Sequence, residues 1–301
     1  MKNIVFDKSL LDSEYKTFLL SEMLDKKYTK LFKLKNSKKI NRLKRFKKIL
    51  LDNGITEKLK DIIFADFDML NNLKTKYGVK TLLANDKNFI EKSLYKEVRS
   101  KFGYKLVELL EIKTCPYCNR NYIVNFNKKD TTVQLDHFYD KSSYFYLAIS
   151  LYNLIPSCST CNQRKSAINE NILYPYLDSF DKKVTFILDG INSNSEFNFF
   201  HYKRINLTLE SSDTKAQKSI ELFNLNKLYQ EHRDIVSEIL KRKEMYPDSR
   251  INELYHQFGA LFSSKDELIG LLNCNFLDEK DINKRPLSKL IRDISKQIGF
   301  I

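Results

Sequence analysis

The segment VQLDHFYDKSSYFYLAISLYNLIPSCSTCNQRKS, from Val133 to Ser166, concentrates side chains that can bind a metal ion in a chain otherwise poor in them. Across 301 residues the sequence has only four histidines and five cysteines. In this segment Asp136 directly precedes His137, and a C-x-x-C motif directly precedes Asn162. The residue types and their order indicate that this segment decides both the fold of the central region and its chemistry.

Four of the five cysteines occur as two C-x-x-C pairs, which are Cys115 with Cys118 and Cys158 with Cys161. A C-x-x-C turn presents two thiolates on one side of a tight loop, and zinc accepts four thiolates in a tetrahedral site. Because a zinc ion held by four thiolates has no open coordination position, we expect Zn²⁺ here to be structural. The alternative is a set of four buried free thiols. Cys274, the fifth cysteine, is expected to be an ordinary core residue.

The composition is that of a folded globular protein, with 42 % hydrophobic and 30 % charged residues. No apolar run approaches the ~18 residues that span a membrane, and the opening sequence MKNIVFDKSLLDSEYK lacks the apolar stretch of a secretory signal. We therefore expect a cytoplasmic protein without a membrane partner. Thiols stay reduced in that compartment, which favours metal binding over disulfides for the paired cysteines.

The positive charge of the chain, +14 in total, is concentrated between Lys26 and Lys48 in KKYTKLFKLKNSKKINRLKRFKK, which carries twelve Lys or Arg and no Asp or Glu. Such a block predicts contact with nucleic-acid phosphates. The residues predicted to make these contacts are Lys38, Lys39, Arg42, Lys44 and Arg45. The alternative is an amphipathic helix with a solvated basic face, since Leu43, Phe46 and Leu50 fall at near-helical spacing.

We predict an α+β protein that is mainly helical, with a basic helical region at 1–110, a central region at 111–175 and a mostly helical region at 176–301. The region at 1–110 has apolar residues three and four apart, as in TEKLKDIIFADFDMLNNLKTKYG, which ends at Gly78. In the central region, NYIVNF and TTVQL predict two short strands joined by the turn NKKD, and STCNQRKS predicts the start of a helix. In the region at 176–301, KVTFILD and FNFFHYKRINLTL favour extended structure, and helical patterns run from Thr214 onward.

Three side chains of the central region could act on a phosphodiester together. A strand pair, a loop and a helix held by the zinc site would bring Asp136 and Asn162 to one cation. Both offer oxygen ligands, which suit Mg²⁺ (or Mn²⁺) with several retained waters better than a second zinc. His137 lies beside this metal, and because its ordinary pKa is near neutrality it can take a proton from an attacking water.

The motifs CPYC, LDHF, YNLIPSC and CNQRKS resemble those of the HNH, or ββα-metal, endonucleases that carry a zinc knuckle. The resemblance implies that Asp136 and Asn162 bind the catalytic metal. It implies that His137 is the general base and that Asn153 ties the loop through backbone hydrogen bonds. Phosphate contacts are implied at the basic positions after the last ligand, Arg164 and Lys165. Many members of the family carry His where this chain has Asn162.

More loosely, the whole chain resembles the HNH nuclease subunits of Septu-type anti-phage defence systems, in which a later helix carries text similar to LFNLNKLYQEHRDIVSEILKRK and the nuclease works with a separate ATPase. No G-x-x-x-x-G-K-[ST] loop occurs in this sequence, so an ATP-dependent step would require a partner chain. The resemblance implies a metal-dependent endonuclease acting on DNA, or on RNA, as the effector of such a system. The alternatives are a non-cleaving zinc-knuckle module that binds nucleic acid and a stand-alone restriction-type nuclease.

Overall fold

The computed structural model describes residues 3–23, 42–127, 131–168, 170–189, 203 and 205–301. Their secondary structure is mainly helical with two small antiparallel sheets, so the predicted α+β class is confirmed. Among these residues no helix combines the length and the apolar composition needed to cross a bilayer. The chain divides into two compact units. The first unit comprises Val5–Glu111 and Val124–Asn169, and the second comprises Met1–Ile4, Ile112–Ile123 and Glu170–Ile301.

The first unit contains helices and one two-stranded sheet. In chain order its elements are α1 (Lys8–Phe18), α2 (Arg42–Asp52), α3 (Leu59–Ile63), α4 (Phe67–Tyr77), α5 (Ala84–Phe89), α6 (Lys96–Lys101), α7 (Gly103–Leu110), β1 (Gln134–His137), β2 (Leu154–Ser157) and α8 (Ser159–Lys165). Within the described part of this unit, two π-helical segments interrupt the α-helical geometry. Leu19–Met23 continues α1, and Ile90–Tyr95 leads from α5 into α6.

Helix α2 is amphipathic, as one of the two interpretations of the basic segment predicts. Leu43, Phe46, Ile49 and Leu50 recur at spacings of three and four residues and are buried, while the lysines between them are exposed. Burial of each such side chain contributes about 1.5–3 kcal/mol, which stabilises a short helix that charge repulsion along its basic face would disfavour. Residues 26–41 of the basic segment lie outside the described residues.

The single long helix predicted to end at Gly78 is divided into α3 and α4. Asp66 causes the division, because its Oδ1 accepts a hydrogen bond from the Met69 backbone nitrogen at 3.0 Å and so caps the start of α4. The predicted end is confirmed. Gly78 has φ of 61°, the left-handed conformation that glycine adopts most readily after the last turn of a helix.

Strand β1 forms an antiparallel ladder with β2, and NYIVNF forms no regular strand with TTVQL. Residues 128–130 of the predicted turn NKKD lie outside the described residues. NYIVNF and TTVQL share only the isolated bridge between Asn125 and Thr131 among the described residues. Side-chain hydrogen bonds replace the missing ladder: Thr131 Oγ1 donates to Asn125 Oδ1 at 2.8 Å, and Thr132 Oγ1 accepts from Val124 N at 3.0 Å. The helix predicted to start in STCNQRKS is confirmed as α8.

The second unit contains the other sheet and the remaining helices. Its elements are α9 (Phe180–Lys183), β3 (Thr185–Asp189), β4 (Asn206–Glu210), α10 (Thr214–Leu222), α11 (Leu225–Gln230), α12 (Arg233–Met245), α13 (Asp248–Phe258), α14 (Lys265–Leu272) and α15 (Ser288–Gln297). The extended structure favoured in KVTFILD and at the end of FNFFHYKRINLTL is confirmed, and so are the helices from Thr214 onward.

The core of the second unit forms where β3, β4 and α15 pack together. The strands are antiparallel and bury alternate residues, such as Phe186 and Leu188 of β3, which is the pattern of a sheet with one face in the core. In α15, the carboxylate of Asp293 accepts a hydrogen bond from the Phe186 backbone nitrogen and pairs with Lys289 at 2.7 Å. The hydrogen bond from Phe186 therefore attaches the last helix to the sheet, and Lys289 within the same helix balances the charge of the buried carboxylate.

Cys274 is exposed, so its expected place in the core is wrong. It has φ of 51° and follows the end of α14, where the backbone nitrogens of Cys274 and Asn275 bond back to Leu271 and Gly270 at 2.9 Å each. The chain reverses at this turn, and turns lie at the protein surface because a buried turn would leave backbone polar groups without hydrogen-bond partners.

Candidate active site and cysteine cluster

Strand β1 and helix α8 carry the residues that the sequence singles out as catalytic. Asp136 and His137 are the last two residues of β1 and pair with β2. Strand β2 leads through Cys158 into α8, which carries Asn162. Helix α8 packs on β1. The chain therefore runs from β1 through β2 into α8 and comes back beside β1.

A cavity of about 420 Å³ lies beside β1 and α8. Asp136, His137 and Asn162 all line it, so the structure brings these three predicted residues together. Asn153, Arg164 and Lys165, which the resemblance also singles out, are not among its lining residues. The polar side chains that complete the lining are those of Arg99, Gln134, Asp140, Lys141, Gln163 and Ser166.

The ring of His137 is held in the form that a general base requires. Nε2 lies 2.9 Å from the carbonyl oxygen of Ala148, and because a carbonyl can only accept, Nε2 carries the proton and Nδ1 keeps its lone pair. Burial lowers the pKa of His137 to about 3, and the charge of Lys141 adds to this effect. The ring of Tyr95 packs 4.5 Å from the imidazole. His137 is therefore uncharged at neutral pH and fixed in orientation.

Asn153 lies in the loop before β2 and ties that loop to the end of β1. Its side chain is fully buried. Nδ2 donates to the carbonyl oxygens of Tyr139 at 3.0 Å and Leu147 at 3.1 Å, and Oδ1 accepts from the Tyr139 backbone nitrogen at 2.7 Å. The bonds to Tyr139 span 14 residues of sequence, and together they fix the position of the chain that follows His137.

Lys165 is buried at the end of α8, with 1 % of its surface exposed. Its Nζ donates to the carbonyl oxygen of His137 at 2.6 Å and lies 3.4 Å from Oδ2 of Asp136, which is 3 % exposed. A carboxylate at this depth requires a compensating positive charge. Lys165 supplies that charge, and it also links the last turn of α8 to the end of β1.

The other predicted phosphate-binding residues differ in their surroundings. Arg164 is exposed on α8. In α2, Arg42 forms an ion pair with Glu97 at 3.5 Å, and Arg45 pairs with Asp86 at 3.4 Å. Lys44 is exposed on the same helix, whereas Lys38 and Lys39 lie outside the described residues. Phosphate binding by this group stays a prediction.

Several residues of the cavity lie outside the site predicted from the sequence, including Tyr95 and Arg99 from the N-terminal helical region. Gln134 could have been found, because residues two apart on a strand lie on the same face, and Gln134 is two residues before Asp136. Tyr95 and Arg99 offered no such signal. They reach the cavity through tertiary packing between segments that are far apart in sequence.

The tyrosines of the loop after β1 pack within the protein. Tyr139, Tyr144 and Tyr146 are all buried, and neighbouring rings meet edge to face at centroid distances of 6.1 and 6.2 Å. These rings therefore form part of the packing under that loop.

The four paired cysteines form one buried cluster, in which their sulfur atoms all lie within 4.8 Å of one another. A tetrahedral zinc site with Zn–S bonds of about 2.3 Å places its sulfurs about 3.8 Å apart. The cluster could therefore hold a zinc ion after a small contraction. At the first pair, the backbone nitrogens of Cys118 and Asn119 both bond to the carbonyl oxygen of Cys115, at 3.3 and 2.8 Å, and so form the tight turn that the C-x-x-C spacing predicts.

Comparison with known proteins gives one distant relationship. The chain is 26 % identical over 127 residues to the Septu protein PtuB of Bacillus thuringiensis. The matched part is 42 % of this chain and 42 % of that protein, so the chain spans less than half of the relative's length in the match. No protein-family model and no solved structure matches. The relative is a Septu protein, and the sequence motifs resemble those of Septu-type systems as well.

Lys165→Met should destabilise the protein by about 3–5 kcal/mol, because removing one partner of a buried ion pair leaves the other charge uncompensated. Asp136→Asn in the same chain should recover part of this loss, since the neutral amide needs no counter-ion. The free energies of unfolding of both single variants and the double variant, without added divalent metal, form the required cycle. Lys60→Met, at an exposed lysine of α3, is the matched control and should change stability by less than about 0.5 kcal/mol. Equal stability of Lys165→Met and wild type would contradict the counter-ion role.

Cys158→Ser should abolish zinc binding and disrupt the centre of the fold, because binding of a structural zinc is part of folding and contributes about 10–16 kcal/mol in zinc-finger peptides. Elemental analysis of the purified protein and circular dichroism measure the two effects. Cys274→Ser is the matched control, since that thiol is exposed and outside the cluster, and it should retain the metal. Purified wild type without zinc would refute the assignment.

Proposed function

We propose that this protein is a metal-dependent HNH endonuclease that hydrolyses phosphodiester bonds in nucleic acid, with DNA as the favoured substrate. The observation that carries the proposal is the state of His137. Its Nε2 is bound to the Ala148 carbonyl oxygen, which leaves the lone pair on Nδ1, and it lines one cavity with Asp136 and Asn162. A neutral imidazole with a free lone pair beside two oxygen donors is an arrangement that can activate a water.

The donor atoms of Asp136 and Asn162 fit a magnesium ion better than a second zinc. They offer one carboxylate and one amide oxygen, and both side chains line a cavity large enough for several waters. Mg²⁺ takes oxygen ligands and keeps much of its hydration shell, so two protein ligands are sufficient. When bound, the ion (Mg²⁺ or Mn²⁺) would supply Lewis-acid stabilisation of the charge that develops on the phosphate and the leaving oxygen.

Each residue of the site then has its own role in the proposed reaction. His137 accepts a proton from water at Nδ1, and the water oxygen attacks the phosphorus. The bond from phosphorus to the 3′ oxygen breaks, which leaves a 5′ phosphate and a 3′ hydroxyl after that oxygen takes a proton from solvent. The contacts of Tyr95 and of the Ala148 carbonyl fix the imidazole plane. Lys165 fixes the carboxylate of Asp136 and the backbone of His137.

We further propose that the nuclease is the effector of an anti-phage defence system in the cytoplasm and that it works with a separate ATPase. The similarity to the Septu protein PtuB supports this biological role. The absence of a phosphate-binding P-loop from the sequence supports a separate chain as the ATPase. Met245, Leu261 and Leu271 of the second unit are large apolar residues that are exposed, and we propose that they take part in the contact with the ATPase.

His137→Ala should abolish cleavage without loss of fold or of nucleic-acid binding, because a general base contributes typically ~10²–10⁴ in rate and the site lies at the edge of a cavity. The assay is digestion of plasmid DNA, single-stranded DNA and total RNA side by side, with Mg²⁺, with Mn²⁺ and without either. His256→Ala, at a histidine of α13 outside the cavity, is the matched control and should cleave as wild type does.

Turnover by His137→Ala equal to that of wild type would overturn the assigned base. Wild type that binds all three substrates and cleaves none, with or without its native partner, would establish the non-cleaving zinc-knuckle module instead. Site-specific cleavage of plasmid DNA by the isolated chain would establish a stand-alone restriction-type nuclease.

The proposed ATPase should co-purify with this chain when both are expressed from the native operon, and the complex should elute at a larger size than the monomer. Replacing Leu261 and Leu271 by Asp should weaken this association, since charge in an apolar interface is costly. The same change at Leu83, which is exposed in the first unit, is the matched control. A chain that elutes alone and cleaves at full rate by itself would show that no ATPase is needed.

A further inference from the structure

We propose that Arg99 and Lys141 form a phosphate-binding pair that seats the backbone of a nucleic acid over the cavity beside His137. This inference rests on the proposed nuclease function and names how that same site holds its substrate. Neither residue belongs to the motifs that carry the HNH resemblance. Arg99 lies in α6 of the N-terminal helical region, and Lys141 lies in the loop that follows β1.

The two cations and Tyr95 all line one cavity. Arg99 follows Tyr95 by four residues, the spacing at which helical side chains lie on one face. Lys141 approaches the same ring from the loop, with Nζ 5.2 Å from its centroid. The ring packs against His137, so Lys141 lies one side chain away from the proposed base, and Arg99 lines the same cavity.

Neither cation is neutralised by the protein. Arg99 donates to the neutral side chain of Gln134 at 2.8 Å, and the contact of Lys141 is with the ring of Tyr95. Within the described ranges, neither forms an ion pair with a carboxylate. Arg42 and Arg45, by contrast, both have acidic partners.

The carboxylates that line the cavity do not neutralise Arg99 or Lys141. Asp136 faces the buried ammonium of Lys165. The carboxylate of Asp140 accepts hydrogen bonds from the Ser142 hydroxyl and from the Ser143 backbone nitrogen, the latter at 2.9 Å. Each acid is thus engaged by its own neighbours, and the charge that remains open to a ligand is positive.

The chemistry of the pair selects backbone phosphate over a base. Guanidinium and ammonium groups bind phosphate oxygens through charge-assisted hydrogen bonds. Tyr95, the aromatic residue of the lining, is buried and uses its hydroxyl to donate to the Leu135 carbonyl oxygen at 2.8 Å, so it offers no free face for stacking. The pair should therefore hold DNA or RNA without reading sequence.

The test measures nucleic-acid binding by the His137→Ala variant, which should not cleave its probe, across a salt series in Mg²⁺. The probes are a short DNA duplex, one of its strands alone and an RNA of the same sequence. Arg99→Gln and Lys141→Gln should each weaken binding by roughly tenfold or less and lower the slope of log affinity against log salt by about 0.9 on duplex DNA or about 0.7 on a single strand. The double variant should lower the slope by about twice as much.

Two matched controls separate phosphate binding from a structural role. Lys60→Gln removes the same charge from an exposed lysine that does not line the cavity, and it should leave the slope unchanged. Gln134→Ala removes the hydrogen-bond partner of Arg99 while keeping its charge, and the slope should again be unchanged. The three probes show whether DNA, RNA or both provide the phosphates.

Unchanged slopes in both Arg99→Gln and Lys141→Gln, or failure of the His137→Ala chain to bind any probe, would overturn the inference. A slope reduced equally by Lys60→Gln would also overturn it, because the effect would then reflect net charge alone. If the slopes fall as expected but wild type never cleaves, the proposed nuclease function fails while the phosphate-binding pair stands.

Discussion

The antiparallel pairing of β1 with β2 is the constraint on which the rest of the candidate site depends. The ladder is only four residues long on each side, yet it sets which residues lie next to α8. Side chains alternate between the two faces of a strand, so a register shift of one residue would exchange the faces of Asp136 and His137. Asn153 holds the register at the closed end of the ladder, because its amide bonds fix the loop that returns the chain to β2.

The site is built on polar groups in a position where most proteins place apolar ones. Asp136, His137, Asn153 and Lys165 are all buried, and burial of each carries a cost that only specific partners offset. A carboxylate paired with an ammonium, a ring bound to a carbonyl and an amide with both ends satisfied provide those partners. Such a cluster contributes little net stability compared with an apolar core of equal volume. Its advantage lies in orientation, since each group has one favourable position.

Much of this arrangement follows from the sequence, and the exceptions have physical causes. The order of motifs predicts α8 and the convergence of Asp136 with Asn162, because strand and helix signals there are local. The first predicted strand, NYIVNF, pairs with TTVQL at the isolated bridge between Asn125 and Thr131, and the partner of β1 in a ladder is β2, which is distant in sequence. Burial of Lys165 runs against the strong preference of lysine for the surface, so composition cannot predict it.

The π-helical segment Ile90–Tyr95 sets the angular phase of the helix that follows it. A π turn accommodates one residue more than an α turn, and each α-helical residue turns the chain by about 100°. Without the extra residue, every side chain of α6 would point about 100° away from its present direction. Arg99 would then leave the cavity, although its own sequence neighbours were unchanged. The direction of a side chain beside His137 is thus decided by how tightly the backbone is wound in the turn before it.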